Sequence, residues 1–108
     1  MGFDAFDVAL DLVRSLKEPI AKIAARDPAL ASQLQRALSS VPLNLHEGRR
    51  RAGRDRLHHF RIAAGSADEI VGGLLVGEAL DYVSRDDVAA SLGFADRVLA
   101  MCWRMTHA

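Results

Sequence analysis

Apolar residues return at every third or fourth position along most of the chain. Phe6, Leu10, Val13, Leu16, Ile20 and Ile23 keep spacings of 4, 3, 3, 4 and 3, the stripe of an amphipathic helix of about six turns. Asp4 and Asp7 sit in its first turn, where negative charge suits the helix dipole. Asp27-Pro28 marks a break, because the residue before proline resists helical dihedrals and proline suits the start of the next helix. Leu30, Leu34, Leu38, Val41 and Leu45 then form a second stripe. Pro42 falls inside it and removes one hydrogen bond, that to the Leu38 carbonyl, which predicts a kink rather than a stop. Gly48 is the expected terminator of this second helix, with Gly53 as a further break.

A third helix is predicted from about Asp55 to Tyr82 on the stripe Phe60, Ala63, Ala67, Ile70 and Leu74. Ser84 resembles an N-cap with Asp86 and Asp87 in the turn behind it. Val88, Leu92, Ala95, Leu99 and Cys102 then stripe a fourth helix. No stretch alternates with period two. The pattern predicts an all-α, antiparallel up-down four-helix bundle.

Two helices carry a second stripe. The second has Gln33, Ala37, Ser40, Asn44 and Glu47; the third has Ile62, Gly65, Glu69, Gly72 and Val76, with Ser66 and Gly73 beside it. Glycine inside a helix costs about 1 kcal/mol relative to alanine. Gly65, Gly72 and Gly73 therefore point to a face against which another helix packs closely, within the subunit or across an interface.

The chain has 108 residues, half of them hydrophobic, with 14 Lys plus Arg against 14 Asp plus Glu. That length suits one domain over 1–108 with a core of its own. One cysteine, Cys102, excludes an internal disulfide framework and fits a reducing compartment. No uncharged run approaches the ~18 residues of a membrane span. Asp4, Asp7 and Asp11 interrupt the first apolar stretch in a way signal peptides do not. The expected location is cytoplasmic, without membrane contact.

Zero net charge hides an asymmetry. Residues 46–61 carry Arg49, Arg50, Arg51, Arg54, Arg56 and Arg61 against only Glu47 and Asp55, whereas residues 62–108 carry three basic and seven acidic groups. A neutral total argues against wholesale binding of polyanions but not against a local patch. Arg49, Arg50, Arg51, Arg54 and Arg56 are the leading candidates for binding nucleic acid or an acidic partner, since guanidinium pairs with phosphate or carboxylate in a bidentate way. Aromatic residues for base stacking are missing from the segment apart from Phe60, whose phase places it in the core, so the contact would be mainly to the backbone. The competing reading is a solvated turn, or arginines paired with carboxylates of a neighbouring subunit.

The order of the central residues resembles a known family. The run from Gln33 to Gly48, with Arg36, Ser40, Val41-Pro42, Asn44-Leu45 and Glu47-Gly48, is similar to the helix-two signature of the 23S ribosomal RNA intervening-sequence proteins, also called four-helix-bundle proteins. Their usual ending is Ser-Ile-Pro-x-Asn-Ile-Ala-Glu-Gly, so Val41 and Leu45 stand for isoleucines and His46 for alanine. Arg51 matches the arginine that follows the glycine, and Phe60, Ala63, Gly65, Ser66 and Glu69 match the opening of the next helix. The resemblance covers residues 33–69 strongly. It implies a bundle assembled into a ring of five, with no assigned activity for most members. Similar proteins that accompany diversity-generating retroelements associate with a reverse transcriptase and contact nucleic acid, RNA or DNA, through basic surface.

Other chemistry is weakly signalled. Asn44, Glu47, Ser66 and Glu69 invite a paired-carboxylate reading, but second-stripe positions are better read as polar groups that bond to one another, or to Arg36 or Arg51, and fix helix register. His46, His58 and His59 flank the basic turn without a Cys partner or a His-x-x-x-His pair, so neither a metal site nor a cofactor is expected. Arg54-x-x-x-x-His59 fits the Arg-x4–6-His pattern of the helical nucleases of the HEPN class, which makes an RNase the alternative to a non-enzymatic scaffold. With so many arginines close by, such a pair arises readily by chance. Trp103 and Met105 are candidates for a subunit contact or for burial in the bundle.

Overall fold

Pro19 reshapes the beginning of the chain. It lacks the N–H that would bond to the Ser15 carbonyl, and its ring crowds that carbonyl. The predicted first rod is accordingly two helices, α1 (Asp4–Ser15) and α2 (Lys17–Ala24), parted at Leu16. The Ser15 carbonyl finds a donor elsewhere: the Ser91 hydroxyl, from the last helix, lies 3.3 Å away, and the two serine hydroxyls are 2.9 Å apart. Ser91 is the buried polar residue among those described, and the helix break at Leu16 explains why a hydroxyl stands inside the core.

The computed structural model describes residues 4–107, an all-α bundle of five helices rather than four. The remaining elements are α3 (Pro28–Arg49), α4 (Gly53–Ala79) and α5 (Arg85–Thr106). The main packing partners are α3 with α4, α4 with α5 and α1 with α5, in a body 42 × 22 × 21 Å across. Asp27 caps α3 by accepting the Leu30 N–H, with Pro28 at the first helical position. The helix runs through Pro42 as one element. Ser84 caps α5 in a reciprocal box with Asp87.

The predicted third helix ends earlier than Tyr82. It stops at Ala79, and Asp81 takes the left-handed conformation (φ 61°). The Tyr82 and Asp81 N–H groups turn back to the Gly77 and Glu78 carbonyls at 2.9 and 3.0 Å, a Schellman closure with aspartate in the place glycine usually takes. Lys22 pairs with Asp87 at 2.9 Å, and Arg26 lies over the Tyr82 ring, which ties α2 to this end.

Gly48 does not end a helix as predicted. It is buried inside α3, where an added Cβ would fall 2.7 Å from Phe60 Cε1 and 3.1 Å from His59 Cβ. Close approach of α4 requires the glycine there. Gly53, with φ +59° and nothing within 4 Å of a built Cβ, is the glycine required by conformation.

The core follows the predicted stripe in α4, where Phe60, Ala63, Ala67, Ile70 and Leu74 are buried, and largely in α3. In α1 it is displaced by one position, and in α5 only in part, since Val88, Ala95 and Cys102 hold their predicted places. Ala5, Val8, Ala9, Leu12 and Leu16 form the α1 seam, while Phe6, Leu10 and Val13 flank it half-buried. In α5 Val88, Ser91, Ala95, Val98 and Cys102 face inward, and Leu92 and Leu99 lie at the side. Small residues occupy the centre of these seams, so the helices approach closely and the larger side chains close over the edges.

Candidate functional site

The up-down course brings the C-termini of α3 and α5 and the N-terminus of α4 to one end of the bundle. The start of α1 joins them, with the Phe6 and His46 rings 5.7 Å apart. The arginine-rich turn sits at this end.

The last carbonyls of a helix need donors from outside it. Here the Arg50 and Arg51 N–H groups bond to the Glu47 and Gly48 carbonyls. Arg56 then reaches back from α4, donating from Nε to the Arg51 carbonyl at 2.8 Å and from Nη2 to the Arg49 carbonyl at 3.2 Å. Arg51 bridges Glu47 at 3.0 Å and Asp55 at 2.7 Å. The hydrogen bond from Arg51 holds the Glu47 carboxyl below its ordinary range, and the same contacts push the Arg51 guanidinium higher still.

The five predicted binding arginines therefore divide. Arg51 and Arg56 hold the turn in shape. Arg50 and Arg54 are exposed and their side chains make no hydrogen bond or ion pair among the described residues, although Arg50 adds a longer-range attraction on Glu47. Arg49 borders a small cleft of about 250 Å³ with Arg56, Phe60 and Met105.

The polar residues of the second stripes meet between α3 and α4. Ser66 Oγ donates to Ser40 Oγ at 2.7 Å, and Asn44 Nδ2 donates to the Ser40 carbonyl at 2.9 Å. That bond fixes the Asn44 amide, leaving Oδ1 toward His59 Nδ1 at 3.0 Å. An amide oxygen only accepts, so Nδ1 carries the proton. The two carboxylates of the candidate pair do not join this network: Glu47 belongs to Arg51, and Glu69 is exposed. Arg36 bonds to Ser32 at 3.1 Å and lines a shallow groove with Ser40 and Asn44. His59, absent from the predicted second stripe, joins this seam because it lies seven residues before Ser66, on the same face of α4.

Arg54 and His59 do not share a face. Five residues along an α-helix turn about 140°, and His59 faces the α3 seam through Asn44.

Trp103 is 61% exposed rather than buried. Val98 and Cys102 take the inward positions of α5, which turns residue 103 outward. Its indole stacks on His107, with centroids 4.4 Å apart and planes 9° from parallel. Beside it a cleft of about 320 Å³ opens between α4 and α5, with Arg61, Ala64 and Leu99 on its walls. Behind it Cys102 is fully buried, and burial pushes its thiol up to about 11, far from the thiolate a nucleophile needs.

Among the described residues no helix is long and apolar enough to cross a membrane, and no cluster of three or more His, Cys, Asp or Glu is placed to hold a metal ion.

No curated protein matches the chain. A solved structure of a protein of unknown function from the S23 ribosomal protein family of Bacteroides thetaiotaomicron superposes with a TM-score of 0.85. The match covers 96% of this chain and 99% of that one at 17% identity, a likeness of fold. The family model for 23S rRNA-intervening sequence proteins matches residues 3–104. The residues on which the resemblance was read, Arg36, Ser40, Pro42, Asn44, Glu47, Gly48, Phe60, Gly65, Ser66 and Glu69, lie along α3 and α4, and the chain belongs to the 23S rRNA-intervening sequence protein family.

Proposed function

We propose that this chain is a non-enzymatic, oligomeric interaction protein whose arginine-rich end holds the phosphate backbone of nucleic acid. One observation carries the reading. The guanidinium groups of Arg50 and Arg54 stand exposed without hydrogen bonds or ion pairs among the described residues, on a turn that Arg51 and Arg56 brace from within. Unpaired guanidinium groups on a braced turn suit phosphate, because no existing ion pair has to be broken and the backbone that carries them is already held.

The assembly rests on two different apolar surfaces. Along the outer face of α4, Gly65 and Gly72 are open and Leu75, Val76 and Leu80 are exposed. On the opposite flank Leu10, Val13, Leu38, Pro42 and Leu43 line a cleft of about 290 Å³ between α1 and α3. Two unlike patches on one protomer favour head-to-tail contact, which closes into a ring when the rotation permits. Five copies is the number the family resemblance implies, and a ring would repeat the basic end and add avidity.

The test is electrophoretic mobility of an RNA strand at roughly 50 and 200 mM salt. The wild-type protein is expected to bind, with affinity falling about tenfold across that range for two neutralised phosphates. Arg50→Glu combined with Arg54→Glu should abolish the shift, and His59→Ala should leave it unchanged. Binding that survives the double substitution overturns the reading. Capture of an acidic protein, a reverse transcriptase among them, by a protein that binds neither RNA nor DNA transfers the basic end to that partner. RNA cleavage that disappears in His59→Ala makes the protein an enzyme instead.

A further inference from the structure

We propose that Trp103 is a stacking platform for an unpaired base, so that the basic end takes single-stranded rather than duplex nucleic acid. The inference rests on the nucleic-acid reading above and narrows it to one class of strand.

Three observations meet at this place. The chain's single tryptophan is its largest apolar side chain, yet it is 61% exposed, and its ring contact is the parallel imidazole of His107. An indole held flat by a stacked neighbour presents a ready π-surface at low entropic cost. The cleft at its side, about 320 Å³, has room for a base and has an apolar floor in Ala64 and Leu99. Arg61 stands on the other wall, exposed, its side chain making no hydrogen bond or ion pair among the described residues.

The helix phase of α4 joins this cleft to the arginine turn. Seven residues separate Arg54 from Arg61, nearly two full turns, so the two share a face about 10 Å apart along the axis. His58 lies between them on that face, exposed as they are. Asp55, the carboxylate closest in sequence to Arg54, is taken by Arg51. The result is a basic track from the turn to the indole. A strand whose phosphates follow Arg54 and Arg61 can lay one base on Trp103, whereas bases inside a duplex are already stacked and paired.

Trp103 is its own reporter. A strand of about 20 nucleotides, alone and then annealed to its complement, is titrated into the full-length protein while indole emission and strand anisotropy are followed. The free strand should quench the emission and the duplex should not. Trp103→Ala should weaken single-strand binding about tenfold and leave duplex binding within about twofold; Trp103→Phe, which keeps a ring, should recover most of the loss. An emission that stays constant while anisotropy reports binding overturns the proposal, as does a Trp103→Ala variant that binds both forms like the wild type. If in that case Arg50→Glu with Arg54→Glu still abolishes binding, the stacking inference alone has failed. Wild-type protein that binds neither form removes both readings. A fall in mass by light scattering for Trp103→Ala assigns the indole to a contact between copies and also overturns the proposal.

Discussion

Gly48 and Gly73 sit where α3 meets α4; Gly65 and Gly72 lie on the outer face of the same pair. The residue type is the same and the physical situation is opposite. A Cβ on Gly73 would come 2.5 Å from Leu34 Cδ2, and one on Gly48 would strike the Phe60 ring, while at Gly65 and Gly72 it would meet nothing within 4 Å. The four share a helical context, so propensity cannot tell them apart. Phase can. Gly48 lies three residues beyond Leu45 on the buried stripe, whereas Gly65 and Gly72 each lie two residues beyond a buried position, about 200° around the helix. A glycine in phase with the core marks a contact, and one out of phase marks a surface whose role has to be found outside the protomer.

The sharpest way to break this contrast is Gly48→Val. Phe60 is buried and its ring edge has no flexible end with which to yield. Overpacking there should exceed anything returned by better helix propensity, with a loss of about 2–3 kcal/mol. For a chain of this size that lowers the melting temperature by about 10 °C or more, read by circular dichroism. An unchanged melt would mean that the ring steps aside freely and that the glycine is not required by packing.

Gly72→Leu probes the other side. Replacing an exposed helical glycine by a good helix former should raise protomer stability by about 0.5–1 kcal/mol, because the added side chain points into open space. Light scattering then separates packing from assembly. Loss of mass with helicity intact supports the outer face of α4 as a contact between copies, and unchanged mass removes it from the proposed ring. A lower melting temperature at unchanged mass would break the contrast itself.

The same distinction governs how much could be read from the chain before its fold was known. In α4 the seam is marked by Phe60, Ile70 and Leu74 and in α3 by Leu34, Leu38, Val41 and Leu45, so following the large residues finds the core. In α1 that habit misses by one position, because Ala5, Ala9 and Leu12 hold the centre and Phe6, Leu10 and Val13 close the flanks, and in α5 it misses at Leu92 and Leu99, where Ser91 and Val98 face inward instead. Pro19 was as visible as Pro42, yet the first divides a helix and the second does not. The difference lies in Ser91, seventy-six positions from Ser15, which supplies the donor that makes the break tolerable. At the basic end, composition reveals a cluster of arginines but not its division of labour. That division depends on Arg56 reaching back across the turn and on Arg51 lying between two carboxylates. The outward turn of Trp103 follows from the inward phase of Cys102, a position already on the predicted stripe.

The smallest expected effect lies, like Gly72, at the surface. The Asp87 carboxylate accepts the Ser84 backbone N–H at 2.9 Å and the Lys22 ammonium at 2.9 Å, and these contacts, the backbone one foremost, hold its carboxyl below the ordinary value of 3.8. The folded state therefore favours the charged form more than the unfolded chain does. That preference stabilises the fold above the unfolded-state pKa and is lost as the pH falls through the depressed one. Glu47, held down by Arg51, acts in the same direction at the other end of the bundle. Asp87→Asn keeps an acceptor for the cap but has nothing to titrate, so it should melt slightly below the wild type at neutral pH. The two melting curves should draw together as the pH is lowered toward roughly 2. A gap that keeps its width down to that pH would assign the loss to cap geometry rather than charge, and a gap as large as that of Gly48→Val would show that the exposed ends of this bundle rival its packed seam.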